Sequence, residues 1–213
     1  MKFICIFVFL LVIVNGLLTS CSSITRMNRV TYSQPQFKPQ GNIYVVSANT
    51  KQNSSLEFQH FKPAIEQQLS MHGFNIVHSL KQANSVAIMS YGIDSGKLKT
   101  ITTPVYGYDT FDRYSVIVPG YPMPAYGVMG INTIEYEEYT HVLSMEIVDA
   151  KSVKSKQMKQ LYTSKVIAKD TCPMIAPLFP DLVEGLFQGF PAMNAETREV
   201  TVKTQTECRH LAN

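Results

Sequence analysis

The sequence predicts an α+β fold, with a largely antiparallel sheet, two helices packed on one face and a long Tyr/Pro/Gly-rich insertion. Three observations predict it: β-branched segments that alternate, two segments with apolar residues at helical spacing, and one stretch with neither pattern. The composition is that of a globular chain, since 45% of the 213 residues are hydrophobic and 16% are charged. The net charge of +3 is too small to indicate a nucleic-acid partner.

The first half of the chain supplies a strand, a helix and a pair of strands. Residues 43–48 (IYVVSA) read as a short strand. The sequence SSLE at 54–57 fits a helix-capping box, and apolar residues then recur until the helix ends near His72 and Gly73. Pro63 either kinks this helix or moves its start to Lys62. Residues 74–80 and 85–94 follow as two strands.

The second half supplies the insertion, a hairpin, a helix and a final strand. The insertion covers about residues 103–130, where Pro and Gly are too frequent for regular structure over most of its length. A strand over 132–148, a turn over 149–157 and a returning strand over 158–169 form the hairpin. Residues 175–190 predict the second helix and residues 198–207 the last strand.

The N-terminus has the layout of a lipoprotein signal. Residues 1–20 contain a lysine, a twelve-residue apolar run and a break at Asn15 and Gly16. They end in Leu-Thr-Ser before Cys21, which resembles a bacterial lipobox. We therefore expect a signal peptide at 1–20, a palmitate-type lipid anchor on Cys21, a tether over 21–42 and one α+β domain over 43–213. The alternatives are an ordinary cleavable signal and an uncleaved membrane segment.

The location follows from this signal. The protein is expected in the cell envelope, held on a membrane by acyl chains. In a Gram-negative host, Ser22 after the lipidated residue favours the outer membrane, facing the periplasm. In that oxidising compartment Cys172 and Cys208 would be the two remaining thiols, and we expect a disulfide between them. A reactive cysteine pair is the alternative.

Two groups of residues are candidate binding surfaces. The tyrosines of the insertion offer flat faces and hydroxyl groups, which suit a protein partner or a glycan. Lysines at the hairpin turn form a basic patch that suits anionic headgroups or an acidic partner. The alternatives are packing of the tyrosines on their own domain and protection of strand edges by the lysines. The candidates are Tyr106, Tyr108, Tyr121, Tyr126, Lys151, Lys154, Lys156 and Lys159.

The motifs of common enzyme classes are absent from the sequence, which contains no nucleophile elbow, P-loop, dinucleotide-binding loop or zinc-protease helix. Two weaker groups remain, Glu135 and Glu137 with His141 on one strand face, and the acidic residues Asp94, Asp109 and Asp112. We expect no catalytic residue, metal or cofactor.

The order of these features resembles bacterial envelope lipoproteins with domain of unknown function 4136. The segments that carry the resemblance are the lipobox, residues 43–48, the helix ending IEQQLSMHGF, the hairpin and LVEGLFQGFP at 182–191. The resemblance implies an envelope lipoprotein of unassigned activity. We therefore expect a non-enzymatic binding or accessory domain for another envelope component. A cell-wall glycan-binding module or hydrolase is the alternative function.

Overall fold

The computed structural model describes residues 23–109, 125–154, 158–191 and 195–205. Its helices are α1 Leu56–Met71, α2 Ala150–Lys154 and α3 Phe179–Phe187, with a short 3-10 helix at Thr50–Ser54. The strands within this described part are β1 Ile24–Ser33, β2 Gly41–Ser47, β3 Phe74–Ile76, β4 Ser85–Ile93, β5 Lys97–Asp109, β6 Ala125–Asp149, β7 Gln160–Asp170 and β8 Glu196–Lys203.

The predicted α+β class, a largely antiparallel sheet with two helices on one face, is wrong. The protein is mostly β, with 51% strand, and its strands form one large mixed sheet of eight. The order is β3-β2-β4-β6-β7-β1-β8, and β5 pairs with β6 outside this path. Strand β2 is parallel to β3 and β4, whereas the other pairs are antiparallel. The prediction failed because β1 and β5 lie in segments that lack a hydrophobic alternation.

The segment predicted as a tether, 21–42, contains β1 instead. This strand lies inside the sheet, where Met27 is opposite Ala168 of β7 and Val200 of β8. Its inward side chains alternate regularly, but three of the four are polar, so the sequence does not read as a buried strand. The four inward residues are Thr25, Met27, Arg29 and Thr31. The buried hydroxyl group of Thr25 has a hydrogen-bond partner inside the fold, because Thr25 Oγ1 donates to Asp181 Oδ2 at 2.9 Å.

Helix α1 begins one residue later than the capping box at 54–57 predicts, since that box would make Ser54 the N-cap. Ser55 is its N-cap and accepts a hydrogen bond from the backbone N–H of Phe58 at 3.1 Å, and Pro63 lies inside the helix. The helix therefore does not begin at Lys62. Gly73 follows the C-cap with a φ of 102°, a conformation that favours glycine.

The core joins strand residues with residues of α1 and α3. The ring of Phe61 on α1 stacks on Phe179 of α3, with centroids 3.9 Å apart and planes 7° from parallel. Tyr91 of β4 meets Phe61 edge-on at 5.2 Å. The largest fully buried apolar side chains are Tyr162, Ile43, Ile65, Leu69, Met89, Leu143, Met145, Ile147, Leu182 and Leu186. Burial of these residues fixes the body of the protein, from which one ribbon of the sheet extends.

Candidate binding site

A two-stranded ribbon, here called the arm, extends from the sheet. It consists of β5 (Lys97–Asp109) and residues 125–138 of β6, paired from Lys97 with Glu138 to Asp109 with Ala125. Strand β7 pairs with β6 only from Tyr139 onward, and β4 pairs with it only from His141 onward. At about 3.3 Å per residue, the 13 residues of β5 make an arm roughly 40 Å long.

The described ends of the predicted insertion belong to this arm. Residues 103–109 and 125–130 are strand, so the expectation of irregular structure is wrong there. Proline is tolerated in β5 because an edge strand needs no N–H on its open side. A register shift between Val105 and Tyr106 marks a bulge near Pro104. Residues 110–124 lie outside the described residues.

The arm exposes apolar side chains on both faces. Ile101 is opposite Ile134 on one face, and Leu98 and Ile131 lie on the other. A ribbon of two strands is marginally stable in water by itself, because neither face is covered. Large exposed apolar residues concentrated on one projection indicate a binding surface. The exposed fractions are 66% for Leu98, 50% for Ile101, 48% for Val105, 58% for Tyr106, 68% for Ile131 and 54% for Ile134.

Apart from Asp109 at the outer end of β5, the charged residues of the arm lie at its base, with lysines on one strand and glutamates on the other. Strand β5 carries Lys97 and Lys99, and the facing part of β6 carries Glu135, Glu137 and Glu138. The carboxylate of Glu138 lies 3.9 Å from Lys99 and 3.7 Å from Lys169 on β7. Beyond the base, residues 100–108 and 125–134 contain no charged side chain. The arm therefore has a charged base and, as far as Tyr108, an uncharged outer part.

At the base of the arm, an Asx turn at residues 94–96 interrupts the pairing with β6 between β4 and β5, which follow one another in the same direction along β6. Asp94 Oδ1 accepts hydrogen bonds from the backbone N–H groups of Gly96 at 3.1 Å and Thr140 at 2.9 Å. These bonds, led by that of Thr140, lower the pKa of the Asp94 carboxyl. Gly96 has a φ of 79°, and a Cβ there would lie 2.7 Å from the ring of Tyr139. Asp94 therefore has a structural role in the turn, which accounts for its carboxylate without catalysis.

Strand β1 begins at the same end of the sheet as the base of the arm. Met27 of β1 is opposite Ala168 of β7, and Asp170 of β7 is opposite Tyr139 at the arm's base. Ile24 therefore lies about 10 Å, or two strand spacings, to the side of that base. Cys21 precedes Ile24 by three residues and lies outside the described part.

The two predicted binding surfaces lie at opposite ends of the sheet. Lys151 is exposed at the start of α2 and Lys159 is exposed before β7, next to the end of β6. Nine residues of β6 separate Tyr139 from Val148, which is about 30 Å. The tyrosines and lysines therefore do not form one surface.

The structure describes the remaining candidate side chains unevenly. Tyr106 is 58% exposed on the arm. Tyr108 and Tyr126 are opposite each other in the ribbon, although their side chains, like that of Lys154, are outside the described ones. Tyr121 and Lys156 are outside the described residues altogether.

The predicted group of Glu135, Glu137 and His141 does not assemble. The two glutamates lie exposed on the arm, whereas His141 is fully buried in the body. Within the described residues, no group of three or more His, Cys, Asp or Glu residues could hold a metal ion. The same part of the chain contains no helix that is long and apolar enough to cross a membrane.

Burial of His141 predicts a pH-dependent stability. Burial lowers its pKa, while Asp170, the backbone of Cys172 and Asp94 oppose this lowering. Because the unfolded chain binds the proton first, the free energy of unfolding should fall as pH drops below about 6.5, by at most about 1.4 kcal/mol per pH unit. Urea denaturation at pH 7.5 and 5.5 measures the difference.

The variant His141→Leu should lose most of that difference, whereas His60→Leu, at an exposed position of α1, is the matched control. Equal pH dependence in the wild type and His141→Leu would contradict the assignment.

The predicted disulfide has one described partner. Cys172 is fully buried, while Cys208 lies outside the described residues. Strands β7 and β8 are both antiparallel to β1, so their C-terminal residues lie at the same end of the sheet, beside the start of β1. Cys172 and Cys208 follow these two ends, which makes the pairing sterically reasonable. The disulfide stays a prediction.

Sequence reasoning missed the aliphatic residues of the arm as candidates. The available signal was composition, since KLKTITTPV at 97–105 and GINTIEYE at 130–137 are rich in the β-branched residues that favour strands, although their apolar residues do not alternate. The frequent Pro and Gly nearby concealed it.

Comparison with known proteins identifies no family. No family model matches the chain, and no curated protein matches it. A PDZ domain protein from Parabacteroides distasonis aligns over 85% of this chain, with 12% identity and a TM-score of 0.44. This chain spans 40% of the length of that protein. A PelC dodecamer from Paraburkholderia phytofirmans aligns over 79% of this chain and 99% of its own, with 10% identity and a TM-score of 0.36.

Proposed function

We propose that the protein is a lipid-anchored envelope protein without enzymatic activity, whose arm binds another envelope component. The observation that carries the proposal is a ribbon with exposed apolar side chains that projects from the body. Such a surface is costly to leave in water, and binding to a protein partner would remove its aliphatic side chains from solvent.

The position of β1 supports a specific orientation on the membrane. If Cys21 carries the acyl chains, Ser22 and Ser23 alone separate it from β1. The end of the sheet with the arm would then lie next to the membrane, and Lys151 and Lys159 would lie about 30 Å further away. In this orientation Lys151 and Lys159 face components remote from the anchoring membrane, and the arm faces the membrane and components at its surface.

A photoreactive phenylalanine analogue at position 106 tests the proposal in intact envelopes. Irradiation should link the arm to one discrete protein, which mass spectrometry would identify. The complex of the two proteins would then be reconstituted from purified components. Position 32 is the matched control, since Tyr32 has the same exposed fraction of 58% but lies at the other end of the sheet.

The variant Leu98→Lys with Ile131→Lys should remove at least nine-tenths of the product, because two buried charges would cost more than the ~1.4 kcal/mol that changes affinity tenfold. Recovery of cell-wall fragments alone would instead support the glycan-binding or hydrolase alternative. Equal capture at positions 32 and 106 would contradict a role of the arm.

A further inference from the structure

The arm has two open edges. On β5 the edge away from β6, and on β6 the edge of residues 125–138 away from β5, have no strand partner among the described residues. Open edges present backbone N–H and C=O groups to any strand that approaches. These two edges lie on either side of one ribbon and run in opposite directions.

The other edges of the described sheet are protected, and those of the arm are not. Strand β3 is only three residues long, and β8 carries Glu196, Arg198, Glu199 and Lys203. Short strands and charged side chains are the usual protection against edge-to-edge pairing. In contrast, the sequences TITT at 100–103 and INTI at 131–134 are uncharged and rich in β-branched residues. A long uncharged edge of this kind favours pairing with another strand.

The charges at the base indicate which strand fits. One open edge carries Lys97 and Lys99, and the other carries Glu135, Glu137 and Glu138. For copies that point in the same direction, pairing β5 with β5 would bring lysines together, and pairing β6 with β6 would bring glutamates together. In the antiparallel register that the chain already uses internally, pairing β5 of one copy with β6 of the next would place Lys97 opposite Glu138, whereas Glu135 and Glu137 lie on the other face of the ribbon.

We propose that the arm pairs edge to edge with the arm of a second copy of this chain, with β5 of one copy beside β6 of the next. Such a contact is heterologous, so each paired copy retains one open edge, the pair as a whole retains one of each kind, and further copies can add until a ring closes. The proposal concerns the edges of the arm and does not depend on lipidation. An acyl anchor would assist it by raising the effective concentration of copies on one membrane.

Disulfide trapping between two single-cysteine variants tests the pairing. Thr102 and Thr133 are exposed, lie on the same face of the ribbon and belong to the two different strands. The variants Thr102→Cys and Thr133→Cys, purified in detergent as mature chains with different tags, are mixed and oxidised. We expect the mixed disulfide as the main product, lost in denaturant. Thr201→Cys, exposed on the charged edge β8, is the matched control and should give none.

A charge exchange separates contacts between chains from contacts within one. The variant with Lys97→Glu, Lys99→Glu and Glu138→Lys keeps opposite charges within its own arm, because residue 138 is opposite residue 97 and contacts residue 99. It should assemble with itself and lose co-assembly with the wild type, whose β5 would meet the added lysine. Size-exclusion chromatography with light scattering and pull-down between tags measure both properties.

Three results would overturn the inference: single chains at all concentrations, Thr102→Cys homodimers as the main product, or capture of the arm by phospholipid vesicles without any trapped dimer. If photo-crosslinking from position 106 still captures a different protein, the proposed function survives this failure. If only a second copy is captured there, the inference stands and the proposed function fails.

Discussion

Replacing residues 1–20 by an ordinary cleavable signal, together with Cys21→Ala, should move the protein from the membrane fraction to the soluble envelope fraction almost completely. Two or more acyl chains bind a membrane in effect permanently, at about 0.8 kcal/mol per buried methylene, whereas the variant would keep only weaker contacts. Fractionation after an alkaline carbonate wash measures the change, and intact-mass analysis of the wild type should show acylated Cys21 as the first residue.

The control for this experiment replaces residues 1–17 alone and retains Leu18, Thr19, Ser20 and Cys21, and this protein should stay in the membrane fraction. The fold should be unaffected because Cys21 precedes the first described strand. Persistence of the Cys21→Ala protein in the washed membranes would contradict lipid anchoring and favour another mode of attachment.

The variant Phe61→Ala should lose about 3–5 kcal/mol of unfolding free energy, the usual cost of deleting a buried aromatic ring. Phe61 is 3% exposed and stacks on Phe179, and it also contacts Tyr91. The ring lies where α1, α3 and β4 meet, so its removal would leave a cavity between these three elements. They could close that cavity only in part. Urea denaturation followed by circular dichroism measures the loss.

Leu56→Ala is the matched control for Phe61→Ala. Leu56 lies on the same helix but is 85% exposed, so its truncation should change stability by no more than about 0.5 kcal/mol. Equal effects of the two substitutions would contradict the packing of α1 described here.

The burial of Tyr91 against Glu57 adds a further constraint on the same region. The Tyr91 hydroxyl donates to a carboxylate oxygen of Glu57 at 3.2 Å. Burial first, and then this carboxylate, raise the pKa of Tyr91 to about 12. Helix α1 is therefore attached to β4 by both apolar packing and a hydrogen bond, and β4 continues through the Asp94 turn into the arm.

Much of the body was predictable because its elements have strong local patterns. The strand at 43–48, the first helix, and the hairpin from β6 to β7 are confirmed in position and type. Each has residues whose spacing matches the side that the fold buries. The arm was not predictable as such, because a ribbon exposed on both faces has no buried side to impose a hydrophobic period.

By itself, the sequence determined the local elements of the body, and it predicts an exported, lipid-anchored chain through residues 1–21. Tertiary structure decided the fold class, the place of β1 inside the sheet and the separation of the arm from Lys151 and Lys159. The physical reason is that these depend on partners distant in the chain. Thr25 is acceptable in a buried strand because its hydroxyl has partners distant in the chain, among them Asp181, which lies 156 residues away and accepts its hydrogen bond, and no local pattern predicts them.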